Sequence, residues 1–509
     1  MNCPARAFSS FWSGASPKGF GSNYMPIEIF MPRTPGAPQP AGHFGSRSFQ
    51  QQTRRAKAFQ HGARTLALLS ALLGVAASAS EPQMVAFPGA EGHGKMAQGG
   101  RGGRIIQVTS LEDSGPGTLR ECIEATGARN CVFRVSGIIR LKSSLVIGDD
   151  SNSVSILGQT APGGGILLTI DQTNDELRHT PLVAKQTHDV IVRHLRIRPR
   201  LPNSVKNVHA AVIENSQRVY FDHTSMSWAT DENVSTYSNT TDITIANSIF
   251  AEGLNKHSKC TLLGADPRVP QNITFWRNAC ISNNDRNPDN NHYGKSCIEI
   301  VNNVFFNARS EWGEVFSQYP GGTPISYVGN YFKAGPSTVE KTYAIKWQNV
   351  ESAGQPQIYE SGNVLWAPPS KSLQLLSPGT DQFVVNRPPC PLAVDTLLAA
   401  GEAYEEVRGQ SGAFPRDDLD VAWIKDMGAQ GERGAGRMVV APGEIPAIKE
   451  AHAYGDEDFD GMADSVEEKF GGVVGVNDAW EPASTDGSMR FDQFMEWLSQ
   501  ERIAGRYPK

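Results

Sequence analysis

From about residue 150 to 365 the chain repeats one short pattern: an apolar residue, any residue, a second apolar residue, then a polar turn. Seven segments carry it: "HDVIVRHLRI", "QRVYFDHTSM", "TDITIANSIF", "QNITFWRNAC", "SCIEIVNNVF", "TPISYVGNYF" and "PQIYESGNVL". Their leading apolar residues are Val190, Val219, Ile243, Ile273, Ile298, Ile325 and Ile358, with successive differences of 29, 24, 30, 25, 27 and 33. Period-2 alternation inside each unit predicts a strand, and irregular periods of this size predict the coils of a parallel β-helix. Asn278, Asn303, Asn330 and Asn363 each follow a leading residue by five positions. Stacked coils would bring these amides into a column, each donating to the next across the ~4.8 Å strand spacing. An antiparallel sandwich offers similar strands but no reason to repeat asparagine in phase. The expected fold class is therefore all-β, a parallel β-helix solenoid.

An open solenoid end exposes unpaired edges and core, so it needs a cover. "GPGTLRECIEATG" places Leu119, Cys122 and Ile123 at helical spacing, which predicts a short N-terminal capping helix. The coil domain is expected over residues 81–367. Residues 368–450, rich in Pro, Gly and Ala, are expected to wrap its outside, ahead of a small calcium-loop region at 451–509. Residues 1–60 are rich in Ser, Gly, Pro and Gln, lack an apolar period and read as disordered. Residues 61–80 read as a secretory signal. Arg54, Arg55, Lys57 and Arg64 flank the apolar run Leu66 to Ala76, and Ala77-Ser78-Ala79 follows as a cleavage site. Its late position suggests a true start downstream of Met1, at Met25 or Met31. An uncleaved anchor is the weaker alternative, because the run is shorter than the ~20 apolar residues of a spanning helix.

Charged residues make up 20% of the chain and the formal net charge is −6, which gives no reason to expect nucleic acid or a membrane surface as partner. Cleavage of the leader removes Cys3 and leaves Cys122, Cys131, Cys260, Cys280, Cys297 and Cys390. An even number in an exported chain suggests disulfides. Cys122 and Cys131 are the preferred pair, and the remaining connectivity stays open. A secreted or periplasmic monomer is expected.

Several stretches carry candidate chemistry. "GAEGHGKM" has phosphate-loop spacing, but Met96 stands where Ser or Thr is needed, so its glycines read as turn formers. "DEDFDGMADSVE" places Asp456, Asp458, Asp460, Asp464 and Glu467 at loop positions 1, 3, 5, 9 and 12, with Gly461 at 6. That is the oxygen spacing of an EF-hand calcium loop, with a structural role expected and a solvated acidic loop as the bland alternative. In "DHTSMSWATDE", His223 is a substrate-binding candidate, although buried hydrogen bonding is the favoured reading for it. Asp231 and Glu232 are candidate metal ligands. Adjacent carboxylates in a strand point to opposite faces, so only one is expected to reach a groove. Lys259 in "HSKCTLLG" and Arg286 in "SNNDRNPDNN" follow on later coils. Stacked loops would let Lys259, Arg286 and Asp231 converge into a linear site for an anionic polymer.

"YFDHTSMSWATDE", "HSKCTLLG" and "DRNP", in this order, resemble the pectate lyase superfamily of right-handed parallel β-helix enzymes. The likeness is closest to bacterial secreted members and takes in the opening "AFPGAEGHGKMAQGGRGGR" and "VTSLEDSGPGTLRECI", over roughly residues 84 to 440. The resemblance implies β-elimination on polygalacturonate or a related uronan, with calcium as cofactor. Lys259 matches the lysine that binds and neutralises the uronate carboxylate. Arg286 matches the arginine assigned as the base. The sequence departs from the family pattern at His209, Ala210 and Ala211, where an acidic calcium ligand is expected, and at Ser235, often acidic in relatives. A second substrate arginine falls here near Asn291, which becomes a substrate-binding candidate. A β-helix glycoside hydrolase is an alternative, needing two carboxylates flanking the bond. Beyond Asp231 and Glu232 the sequence suggests no second acidic pair on neighbouring coils. A non-catalytic carbohydrate-binding β-helix is the other alternative.

Overall fold

Short parallel strands stack into three sheets of eleven, nine and nine strands among the described residues. The computed structural model describes residues 84–172, 179–202, 204–254, 258–429, 431–483 and 487–508. The stretches read as disordered (1–60) and as a leader (61–80) lie outside them. From Arg129–Phe133 (first sheet, eleven strands), Gly137–Arg140 (second sheet) and Leu145–Ile147 (third sheet) onward, each coil contributes one strand to each sheet in turn, so neighbours are three strands apart in the chain. Before them, Arg104–Val108 pairs directly with Arg129–Phe133. The seven leading apolar residues stand in one register: Val190 against Val219, then Ile243, Ile273, Ile298, Ile325 and Ile358. All seven are buried in one continuous core. Each coil is too thin to bury its own apolar side chains, so stacking like on like is what removes them from water.

The asparagine column forms as the spacing predicts. Asn278 Nδ2 donates to Asn303 Oδ1 at 3.2 Å, Asn303 to Asn330 at 3.0 Å and Asn330 to Asn363 at 2.8 Å. Each oxygen in the column also accepts a backbone N–H from the preceding coil, as when Asn278 N donates to Asn303 Oδ1 at 2.8 Å. These buried turns are thereby satisfied without water.

Helix α1, Leu119–Glu124, covers the first coil with Leu119, Cys122 and Ile123 fully buried. The Thr118 side chain caps it by accepting from Glu121 N at 3.3 Å. Disulfides join Cys122 to Cys131, as expected, and also Cys260 to Cys280 and Cys297 to Cys390. The "GAEGHGKM" stretch makes a single 3-10 turn, His93–Met96, against the first sheet. A methyl group on Gly94 would sit 2.4 Å from the Thr244 nitrogen, so close backbone approach explains that glycine.

Strands Gln374–Leu376 and Val384–Val385 extend two of the sheets into the stretch read from the sequence as a wrap. They are too short to show a period. Helices α2 (Ala400–Gln410) and α3 (Asp418–Asp426) follow. They lay Tyr404, Val407, Trp423 and Ile424 against the outside of the second sheet. Helix α4, Arg490–Ile503, packs Phe491, Phe494 and Leu498 on Val132 and Leu157 outside the first sheet. Among the described residues, no helix is long and apolar enough to cross a membrane.

Candidate active site

The third sheet assembles the candidate chemistry. Its strands Glu232–Tyr237, Lys259–Ala265, Asp289–Asn290 and Gly313–Phe316 are consecutive neighbours. Glu232 pairs in register with Lys259, and Asp289 pairs with Glu314. Lys259 Nζ lies 3.2 Å from Asp231 Oδ1 and 3.2 Å from Glu232 Oε1. Arg286 Nη1 reaches the same Glu232 oxygen at 2.5 Å, and its Nε lies 3.1 Å from Asp289 Oδ2. The Arg286 backbone N–H donates to Glu314 Oε2 at 3.1 Å. Thus Lys259, Arg286 and Asp231 converge on one face.

Local backbone explains how Arg286 gets there. Lys259 and Asp285 form an isolated parallel bridge, and Thr261 N donates to Arg286 O at 3.1 Å. Arg286 itself has φ +52°, a left-handed conformation uncommon for a residue with a Cβ. Its side chain stays 20% exposed, whereas that of Lys259 is 6% exposed.

Asp231 and Glu232 both join the cluster, against the expectation that only one would. The strand starts at Glu232, so Asp231 lies outside the pleat and the alternation rule does not reach it. Three further carboxylates were not read from the sequence: Asp285, Asp289 and Glu314. They supply the acidic groups on neighbouring coils that the sequence did not suggest. Asp285 and Asp289 flank Arg286 in the quoted run, which was the available signal. Glu314 arrives only through coil register.

His223 is not part of this site. It is buried at the turn between the first and second sheets, with its ring stacked on His194 at 4.9 Å and Nδ1 2.9 Å from Asp222 Oδ2. Its ring packs against Phe414 and not against the Lys259–Arg286 cluster, the buried setting favoured for it from the sequence. Asn291 lies just past strand Asp289–Asn290 on the third sheet, and its Nδ2 donates to Gln318 Oε1 of the next coil at 2.5 Å.

Burial works against the Lys259 ammonium, but Glu232 and Asp231 outweigh it and raise its pKa against the opposing charge of Arg286. Burial pushes Asp289 up to about 6, with Arg286 pulling the other way. Glu314 is pushed up to about 8, by burial first and by the neighbouring Asp289 and Asp285 charges next. Burial also raises Asp285. The site therefore sets a cation pair, Lys259 and Arg286, beside acids whose pKa values burial raises.

Where the family pattern breaks, His209 and Ser235 surround the Glu232 carboxylate. Ser235 Oγ donates to Glu232 Oε2 at 3.2 Å, and His209 Nδ1 lies 3.4 Å from the same oxygen. One ligand atom each from His209, Asp231 and Glu232 falls within 4.8 Å of the others. Calcium takes roughly six to eight oxygens. This set offers two carboxylates already engaged by Lys259, so groups from a bound uronan would have to complete it.

In the C-terminal region, Asp456, Asp458 and Asp460 form one cluster, and Asp460, Glu467 and Asp478 a second. Asp464 stands in neither cluster, and its Oδ1 accepts from Glu457 N at 3.0 Å. The loop runs into a single 3-10 turn, Glu467–Phe470, and the described residues 431–455 just before it carry no helix, so the helix–loop–helix frame of an EF-hand is missing among the described residues.

No family model matches the chain. A probable pectate lyase C of Aspergillus terreus is 32% identical over 426 residues, covering 81% of this chain and 93% of its own. A probable pectate lyase C of Neosartorya fischeri is 33% identical over 409 residues, covering 78% and 90%. Among solved structures, a pectate lyase bound to hexasaccharide overlays with a TM-score of 0.46 at 10% identity, over 66% of this chain and 99% of its own. With about a third of the aligned positions identical over nine-tenths of those fungal relatives, the chain belongs to the pectate lyase family of polysaccharide lyases.

Proposed function

We propose that this protein cleaves polygalacturonate or a related uronan by β-elimination, with the polymer lying along the third sheet across Asp231, Glu232, Lys259 and Arg286. The carrying observation is that Lys259 and Arg286, from different coils, meet on the single Glu232 oxygen. Beside the family membership, that pair of cations supports a site for a chain of carboxylates.

In the reaction, a base takes the C5 proton, a C4–C5 double bond forms, and the C4–O4 bond breaks with its electrons on the departing oxygen. That oxygen takes up a proton from water or from the protonated base. Negative charge builds on the carboxylate-bearing carbon as the proton goes, so preset positive groups lower the barrier. Lys259, held charged by Glu232 and Asp231, is suited to take the uronate carboxylate. A guanidinium is ordinarily always protonated. Glu232 and Asp289 both favour that charged form of Arg286, which suits a group stabilising the enolate. Acting as the base would require Arg286 to leave both partners. Calcium held by Asp231 and Glu232 together with uronate oxygens would add positive charge at the same place. All these groups come from one chain, so a monomer suffices. Three disulfides suit an oxidising compartment, so export belongs to the proposal; the N-terminal sequence of the mature protein is expected to begin after Ala79.

Glu314, whose carboxyl is pushed up to about 8, gives a hydrolase its one point of support, although it is buried beside Arg286. One assay separates the readings: purified protein, polygalacturonate and calcium, with ultraviolet absorbance and reducing ends followed together. Lysis raises both, hydrolysis raises reducing ends alone, and a binder raises neither. Arg286→Ala is expected to abolish the absorbance signal while the circular dichroism spectrum is kept. Undiminished absorbance in that variant would overturn the assignment.

A further inference from the structure

The carboxylates between residues 456 and 478 have no part in the proposed lyase chemistry. Asp460 and Glu467 are almost wholly buried, at 0% and 1% exposure. Four buried oxygens here have no hydrogen-bond partner: Asp458 Oδ2, Asp460 Oδ2, Glu467 Oε1 and Asp478 Oδ1. The second oxygens of three of these residues are held in place. Asp458 Oδ1 accepts from Asp460 N at 3.2 Å, Asp460 Oδ1 from Met462 N at 2.8 Å, and Asp478 Oδ2 lies 2.7 Å from Arg490 Nη1. In these three carboxylates one oxygen is thus anchored while the other is left without a donor.

Buried acceptors without donors are costly, and several of like charge close together are more so. A hard divalent cation removes both penalties, because it supplies the missing partner and turns mutual repulsion into shared attraction. Calcium tolerates irregular oxygen geometry, whereas magnesium demands a near-octahedral set. We propose that Asp458, Asp460, Glu467 and Asp478, with Asp456 beside them, bind one calcium ion that fastens the C-terminal segment onto the first coils of the solenoid.

This ligand set differs from the loop spacing in the sequence. Asp464 drops out and Asp478, far beyond the loop, comes in. The fastening role follows from what the loop touches. A Cβ on Gly461 would lie 3.0 Å from Phe491 of α4 and 3.1 Å from Ile105 of the first coil, so the loop is wedged between them. Asp456 Oδ2 accepts from Gln107 at 3.1 Å and lies 3.6 Å from Arg134, both on the coils. Tyr454 lies under the Arg134 guanidinium at 4.7 Å and donates to Gly461 O at 2.8 Å. Trp480 Nε1 donates to Gly103 O at 3.0 Å. Repulsion among the carboxylates would therefore loosen α4 from Val132 and Leu157.

The test is calcium binding, independent of enzymatic activity, so its failure and that of the lyase reading are distinguishable. Full-length disulfide-bonded protein carrying Asp231→Asn, which weakens any groove site, is stripped with chelator and titrated with calcium by calorimetry. One calcium per chain is expected, with a rise in melting temperature that magnesium does not match. Asp478→Asn is expected to weaken binding by about 30-fold or more, and Asp464→Asn by less than about 3-fold. Should Asp478→Asn fail to fold, terbium emission in the Asp231→Asn protein, displaced by calcium, gives the same readout. Chelation should also expose residues 451–509 to limited proteolysis before the coils. No bound calcium, or wild-type affinity in Asp478→Asn, would overturn the proposal.

Discussion

Two groups of arginine and carboxylate sit on different faces of the coils, and they are built oppositely. Under helix α3, Arg196 Nε lies 3.1 Å from Asp420 Oδ2, and Arg198 Nη2 lies 2.9 Å from Asp420 Oδ1. Arg196, Arg198 and Asp420 are all 0% exposed, and the carboxylates come from a segment more than 200 residues further along the chain. On the third sheet, Lys259 takes Asp231 and Glu232 from the preceding coil, while Arg286 takes Asp289 from its own coil and Glu232 from two coils back and keeps a wetted edge. Breaking a buried ion pair leaves an uncompensated charge, so a closed cluster works as a fastening even though Arg198 Nε is left without an acceptor. An open one can exchange a protein carboxylate for one on a polymer. The same residue types therefore hold a segment down on one face and offer a binding trough on another.

Changing each side in turn sharpens this contrast. Asp420→Ala leaves two buried guanidiniums short of a partner and is expected to cost about 3–5 kcal/mol in denaturant unfolding. KM for polygalacturonate should not move; a raised KM would make the α3 cluster part of the site. Arg286→Lys keeps the charge but loses the fork that spans Glu232 and Asp289. Its kcat/KM should fall about 100-fold, roughly 2.7 kcal/mol, with little change in the unfolding midpoint.

Glu314→Gln tests the acids beside the cation pair. The folded chain holds this proton more tightly than the unfolded chain does, so wild-type stability falls as pH rises from the glutamate range and levels off above about 8. The variant lacks that loss. Its melting temperature should exceed that of the wild type by an amount growing to about 2–4 °C between about pH 5 and 8, then constant. A gap independent of pH would show that Glu314 is ionised throughout. The smallest effect belongs to His223→Gln, expected to change KM by less than about 2-fold while costing about 1 kcal/mol of stability through its lost stacking on His194 and contact with Asp222.

Much of the coil was legible because its constraint is repetitive. Val190 through Ile358 had to be apolar in phase, and Asn278 through Asn363 had to align, since each stacks on the same position of the next turn. Cys122 and Cys131 were legible because only a short stretch separates them. The pairings Cys260–Cys280 and Cys297–Cys390 were not, because their separations of 20 and 93 residues reflect loop lengths rather than distance. Helices α2 and α3 escaped for another reason: most of their burial is against the second sheet, and their own sequences are rich in charge and alanine. His223 looked like site chemistry because it neighbours Asp231 in the chain. The turn that carries it faces the segment containing Phe414 instead.

By itself, then, the sequence determined that the chain winds, where its inward residues stack, and that a lysine and an arginine stand on later coils than an acidic pair. It could do so because a repeated environment demands a repeated residue. Tertiary structure alone decided that Asp285, Asp289 and Glu314 join those cations, that Asp478 faces Asp460, and that Arg196 and Arg198 are sealed. Those meetings depend on coil register and on how a distant segment lies down, and neither leaves a local pattern in the chain.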